Sequence, residues 1–418
     1  MAIPEGWFQV KLSELAELNP KRALRTGVDA AFLEMSSISV NHPSPTLIAR
    51  RTFSGSGARF ASGDTLLARI TPCAENGKTA LVDFLPEGEI AFGSTELIVL
   101  GPRPAFTEPR YIYHLVKWDA VRSTLIQRMV GTSGRQRIPL SAFDEVILGV
   151  PPLPEQKKIA AILSSMDEVI AKTEAVIAQL QTVKKAMMEQ LLTKGMPGRH
   201  TRFKQTELGE IPEEWEVVRA GELCEVITKG ATPKVVTSAS PDCVPFLRVQ
   251  NIGRRGEIDL SGSALFVTER THTTELMRSQ IRPGDVLMNI VGPPLGKVAV
   301  VPISIPKANI NQAIALLRPA RIESEYLSLC LTAEHLFAWL LKQAKRTSTQ
   351  LNLTLESCRE FPLPLPDQAE RREIIACTVA MQLTLDAQQT ELVALREVKS
   401  SLSSSLLPGE IRVAAGVA

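Results

Sequence analysis

The sequence predicts an α+β protein: two similar globular domains separated by two long antiparallel coiled-coil helices, with pseudo-two-fold symmetry. Three observations predict it. A set of short motifs occurs twice in the same order. Short apolar runs punctuated by Gly and Pro, the pattern of strands and turns, fill the stretch before each closing motif. After each closing motif comes a long stretch without Gly or Pro in which apolar residues fall three and four apart, the pattern of a helix with one buried face.

The repeat is read directly. Trp7 and Val10 with Glu14-Leu15 are matched by Trp215 and Val218 with Glu222-Leu223. Gly63-Asp64-Thr65-Leu66 is matched by Gly284-Asp285-Val286-Leu287, and each leads to a Gly-Lys pair, Gly77-Lys78 and Gly296-Lys297. Thr132-Ser133 with Ile138 and Leu140 is matched by Thr347-Ser348 with Leu353 and Leu355. Leu153-Pro154-Glu155-Gln156 closes the first set and Leu365-Pro366-Asp367-Gln368 the second. Order is kept while spacing drifts, which marks a tandem duplication of one globular-plus-helix unit. A repeat this long is not a solenoid.

Within the first domain, 65–70, 79–82 and 96–100 read as strands and 109–129 as helix. Within the second, 217–218, 245–249, 285–291 and 297–301 read as strands and 323–345 as helix. The first long helix, from about 156 to 193, carries Ile159, Ile162, Leu163, Met166, Val169 and Ile170 and continues to Leu191; Gly195 and Pro197 stop it. The second, from about 367 to 406, carries Ile374, Met381, Leu395 and Leu402 at one heptad position and Thr378, Leu385, Leu392 and Leu406 at the other. Gln388 and Lys399 interrupt that seam, and Pro408-Gly409 stops it. A helix of this length spans roughly 57 Å. The polar linker after it extends only about 35 Å, too short to cross back. That favours antiparallel pairing, with the two domains at opposite ends of one rod. The predicted bounds are 1–153 and 196–365 for the globular domains, 154–195 and 366–407 for the helices, and 408–418 for a loose tail.

Composition narrows the function. The chain of 418 residues is 44% hydrophobic and 22% charged with a net charge of +2, ordinary for a soluble protein. No apolar run reaches the ~18 residues of a membrane span, and the first residues carry no export signal, so a cytoplasmic location is expected. The six cysteines form no C-x-x-C pair, so reduced core thiols are expected rather than a zinc site. Gly292 to Val298 imitates a phosphate-binding loop. It is one residue short, lacks the magnesium-binding hydroxyl and contains two prolines that donate no hydrogen bond. The five histidines are isolated, and Gly63-Asp64 and Gly284-Asp285 read as tight turns entering strands. No catalytic or metal-binding set emerges, and the chain is expected to be non-catalytic.

Basic and amide residues do gather in loops. In the first half they are Lys21, Arg22, Arg59, Arg69, Lys78, Arg135, Gln136 and Arg137. In the second they are Lys229, Lys234, Arg248, Asn251, Arg254, Arg255, Asn289, Lys297, Gln350 and Asn352. Lys and Arg neutralise phosphates, while Arg, Asn and Gln read base edges through paired hydrogen bonds. Each alone is ordinary solvated surface; together they are candidate DNA contacts.

The chain resembles the specificity (S) subunit of type I restriction–modification systems. The residues that carry the resemblance are Ile138 to Gln156 with the helix after them, and Leu353 to Gln368 with theirs. Pro4 to Trp7, Leu208 to Trp215 and the paired Gly-Asp turns add to it. Asp367 departs from the pattern by standing where Glu155 stands in the first copy. The resemblance implies that each globular unit is a target recognition domain reading one half of a bipartite, asymmetric double-stranded DNA site. It implies that the helices set the gap and dock two methyltransferase subunits, and that restriction subunits join the complex. S-adenosylmethionine, ATP and magnesium would then be held by those partners and no cofactor by this chain. Two other readings remain: a stand-alone DNA-binding adaptor of a related defence or methylation system, and a coiled-coil scaffold that does not bind DNA.

Overall fold

In the computed structural model, residues 3–239, 243–261, 264–346 and 351–413 are described. The apolar runs pair into sheets in the same pattern twice. In the first half, Ala16–Leu18, Leu97–Pro102, Thr65–Ala68 and Thr79–Leu81 form an antiparallel sheet in that order. In the second, Cys224–Lys229, Ile314–Pro319, Val286–Asn289 and Val298–Val300 do the same. A second four-stranded sheet also recurs. Asp29–Leu33 lies parallel to Ile90–Gly93, and Cys243–Leu247 parallel to Ala308–Ile310, each flanked by two antiparallel edges.

The sequence of the central strands explains this layering. Leu67, Ile98 and Leu100 enter one core with Tyr111, Leu115 and Phe143. Leu66, Leu97 and Val99 enter another with Leu33, Phe60 and Ala91. A strand buried on both faces reads as an unbroken apolar run rather than an alternating one. Val286 and Met288 against Leu287 repeat the division in the second half.

Both helical stretches read as continuous are broken once. Pro109–Lys117, which starts on the favoured proline, ends at Trp118, whose extended backbone opens Asp119–Gln127. Ser324–Thr332 and Glu334–Gln343 are divided by Ala333 in the same conformation. The one extended residue ends the first helix and starts the second, which periodicity alone does not reveal.

The long helices run Leu153–Thr193 and Gln368–Leu406, and each passes from one compact unit into the other. The first unit comprises Met1–Ile177 with Ala387–Ala418, and the second Ala178–Asp386. Within the first unit Lys399 pairs with Asp167, and Arg396 with Glu174. Within the second Lys184 bonds Gln382, and Arg199 pairs with Glu373. In each unit one number rises as its partner's falls, so the helices are antiparallel there, as the linker length required. Lys399 interrupts the apolar seam because Asp167, nearly buried, faces it.

Each unit joins its helices through the same device. A short ribbon, Phe8–Lys11 with Ile147–Val150 or Glu216–Arg219 with Pro362–Leu365, precedes the helix. The tryptophan before it donates its indole N–H to a buried carboxylate on that helix: Trp7 to Glu155 at 3.1 Å, Trp215 to Glu370 at 3.0 Å. A basic residue beyond the end of the other helix binds the same carboxylate: Arg412 at 2.9 Å, His200 at 2.9 Å. Gly195 and Gly409 turn the chain at each junction with φ of +75° and +81°. A Cβ at either would come within 2.6 Å of a neighbour. The expectation of a loose tail is therefore corrected for residues 408–413: Leu407 and Val413 pack on the first core, and Arg412 is tied to Glu155.

Candidate nucleic-acid interface

The two Gly-Asp turns are built as the sequence predicted. One Asp64 carboxylate oxygen accepts from the Ala61 amide at 2.8 Å, and one of Asp285 accepts from the Arg282 amide at 2.8 Å. Each buried carboxylate also receives an arginine, Arg22 in the first unit and Arg318, at 2.6 and 2.7 Å, in the second. Burial pushes the Asp64 carboxyl above its ordinary range, while the Ala61 amide and Arg22 pull it down. Arg22 thus commits its charge to the turn.

Beside that turn, a cleft of about 380 Å³ opens in the first unit, and Lys21, Arg22, Arg59 and Arg69 line it. Loops distant in sequence meet there because the strand Thr65–Ala68 runs straight into Arg69, whose amide bonds the Glu96 carbonyl at 3.0 Å. The Arg69 carbonyl accepts from Ile138 at 2.8 Å, so the segment holding Gln136 and Arg137 lies alongside. Arg137 grips Glu96 with two guanidinium nitrogens, at 2.7 and 2.9 Å, and this holds the Glu96 carboxyl below its usual range. Arg59 bonds the Arg22 carbonyl at 3.0 Å and lies 5.1 Å from the centre of the Phe53 ring. Arg135 is exposed and is not part of the cleft lining. Several cations around one open, polar cleft make it suited to a polyanion.

Four candidate residues bond the protein itself, and for the two buried ones, Asn251 and Asn289, the expectation of a DNA contact is corrected. Lys78 donates to the Met35 carbonyl at 2.8 Å, and Lys297 to the Ile252 carbonyl at 2.8 Å. The two lysines thus fasten the same turn in each copy. Asn251 is buried, accepts from the Arg248 amide at 2.8 Å and donates to Asp259 at 2.9 Å. Asn289 is fully buried; it holds the Pro294 carbonyl at 2.5 Å and the Lys297 amide at 2.6 Å. The loop that imitates a phosphate cradle is therefore folded around Asn289.

The remaining second-unit candidates are spread out. Lys229 and Lys234 are exposed, and the Lys234 amide bonds Glu275 at 3.0 Å. Arg254 and Arg255 are exposed between the bridging residues Ile252 and Ile258, with Arg255 3.9 Å from Asp386. Arg248 precedes the turn Val249–Asn251, and Asn352 sits in the short strand Leu351–Asn352 opposite Val291. Gln350, with Thr347 and Ser348, lies outside the described residues. The sequence reading missed Glu96, since a search for cations passes over the carboxylate that orients them. It also missed Asn19 and Thr95, which line the cleft.

Among the described residues no group of three His, Cys, Asp or Glu could hold a metal ion, and no helix is long and apolar enough to cross a membrane.

The profile of the type I restriction modification DNA specificity domain matches residues 4–182 and 212–379, one match for each copy of the fold. The chain belongs to this family. It is 26% identical to the type I restriction enzyme MjaVIII specificity subunit of Methanocaldococcus jannaschii, over 81% of this chain and 80% of that one. It is 24% identical to the type I restriction enzyme EcoEI specificity subunit of Escherichia coli, over 93% and 81%. A chain solved in work on complex assembly and conformational transition of the type I R-M system shares the fold. Its TM-score is 0.63 at 21% identity, covering 98% of this chain and 100% of that chain. The chain is thus a type I specificity subunit whose two family domains are joined through long coiled-coil helices.

Proposed function

We propose that each globular domain reads one half of a bipartite, asymmetric DNA site and that the long helices set the gap between the halves. The observation that carries this reading is the duplication itself: one fold occurs twice, yet the residues lining equivalent positions differ. Two copies of one reader suit two half-sites, and different side chains suit different bases. The basic cleft in the first unit supplies phosphate and base-edge contacts, as does the exposed Arg254-Arg255 loop in the second.

The chain is the non-catalytic recognition subunit of this assembly. Two methyltransferase subunits dock on it and hold S-adenosylmethionine; restriction subunits bring ATP and magnesium; the complex works in the cytoplasm. Mapping methylated adenines in a host that carries this chain and its methyltransferase tests the proposal. A two-part motif with a fixed gap is expected. A single continuous motif, or none, overturns it. A salt-dependent mobility shift on random duplex separates the DNA-free scaffold, which would give no shift.

A further inference from the structure

The sheet registers and the hydrogen bonds beside them place Arg59, Arg69, Glu96 and Arg137 of the first unit on counterparts in the second. Ala68 lies opposite Leu97 as Asn289 lies opposite Ile314. Arg69 therefore corresponds to Ile290. The hydrogen bonds agree: Ile138 donates to the Arg69 carbonyl at 2.8 Å, as Leu353 does to that of Ile290 at 2.9 Å. By the same bonds Glu96 corresponds to Ala313 and Arg137 to Asn352. Arg59 opposite Phe92 corresponds to Gln280 opposite Asn309. A cluster of three guanidiniums and one carboxylate in the first copy is thus apolar and amide in the second, on an otherwise superposable scaffold.

The geometry leaves Arg69 free for a paired hydrogen bond. Glu96 is already gripped by Arg137, so its charge is spent there, and Arg69 adds only a Coulombic pull on it. The Arg69 Nε is buried with no hydrogen-bond partner, while the residue lines the open cleft. A guanidinium that lines this cleft with a donor no protein group has taken offers the planar fork that fits the O6 and N7 acceptors of guanine.

We infer that Arg69 reads a guanine in the half-site of the first domain, and that the second domain uses no guanidinium at the equivalent place. This rests on the proposed DNA-reading function. The test selects bound sequences from a randomised duplex pool, using the full chain with its methyltransferase subunits, for the unaltered chain, Arg69→Lys and Arg69→Gln. Lysine keeps the charge but loses the fork. Arg69→Lys should relax one G·C position in one half-site by roughly ten- to a hundredfold and leave the other half and the salt dependence unchanged. Arg69→Gln should relax the same position. A thermal melt matching that of the unaltered chain separates these effects from misfolding. A motif unchanged by both variants overturns the inference, and a uniform loss of binding with the motif intact overturns it by assigning Arg69 to phosphate. An unaltered chain that selects no motif instead overturns the DNA-reading function itself.

Discussion

His114 shows how a single buried residue couples the first domain to its helices. It lies on Pro109–Lys117, is 4% exposed, and sits 3.0 Å from the Ser164 hydroxyl and 3.8 Å from an Asp167 oxygen. Lys399 faces the same Asp167 from the second long helix, with Lys117 and Arg110 on the helix of His114 itself. Burial, then these cations, push the imidazole down to about 3, so it is neutral in the folded protein. The unfolded chain takes up a proton below about 6.5. Stability is therefore full above that value and is lost as pH falls from about 6.5 toward about 3, with a slope approaching ~1.4 kcal/mol per pH unit. Denaturant titrations between pH 7.5 and 4.5 check this. His114→Asn should flatten the dependence in that window, and an unchanged slope would remove His114 as its source.

At the scale of elements, strands and helices were legible in the sequence because burial on two faces and helical spacing both leave simple patterns. The breaks at Trp118 and Ala333 were not, since one extended residue changes no periodicity. The closing motif was legible as a repeat but misleading in detail. Sequence aligns Glu155 with Asp367, whereas the carboxylate that receives the tryptophan in the second copy is Glu370, one turn further on. Asp367 instead caps its helix, accepting from the Glu370 amide at 2.8 Å. Its shorter side chain suits that role. Glu370→Ala would leave the indole of Trp215, the Met196 amide and His200 without their acceptor. A destabilisation of roughly 3–5 kcal/mol is expected. Asp367→Asn keeps a good cap and should cost well under ~1 kcal/mol. Equal losses would return the role to Asp367. Asn289 was misread for a related reason: a polar residue in a loop-like segment looks the same whether it faces solvent or ties the loop together. Asn289→Ala should lower stability by about 1–3 kcal/mol through stranded buried groups, without altering the recognised bases.

At the scale of the molecule, the duplication and the antiparallel helices were legible from motif order and linker length, because chain connectivity limits what a short linker spans. That the two domains differ was legible as well, but which side chain replaces which was not, since that emerges only when sheet register aligns Arg69 with Ile290. The helices offer a direct test of how the domains divide their work. Both cross between compact units, at Ile177–Ala178 and at Asp386–Ala387. Inserting one heptad at each crossing keeps the seam in phase and leaves Asp167–Lys399 in one unit and Lys184–Gln382 in the other. Seven residues add about 10 Å of helix, or about three base pairs at 3.4 Å each. Methylated-site mapping of this variant should return both half-sites unaltered with a longer gap. An insertion in the first helix alone shifts one seam against the other and should weaken the complex rather than lengthen its site. A double insertion that leaves the gap unchanged would show that the helices do not set it; one that changes the half-site bases would show that recognition is not confined to the domains.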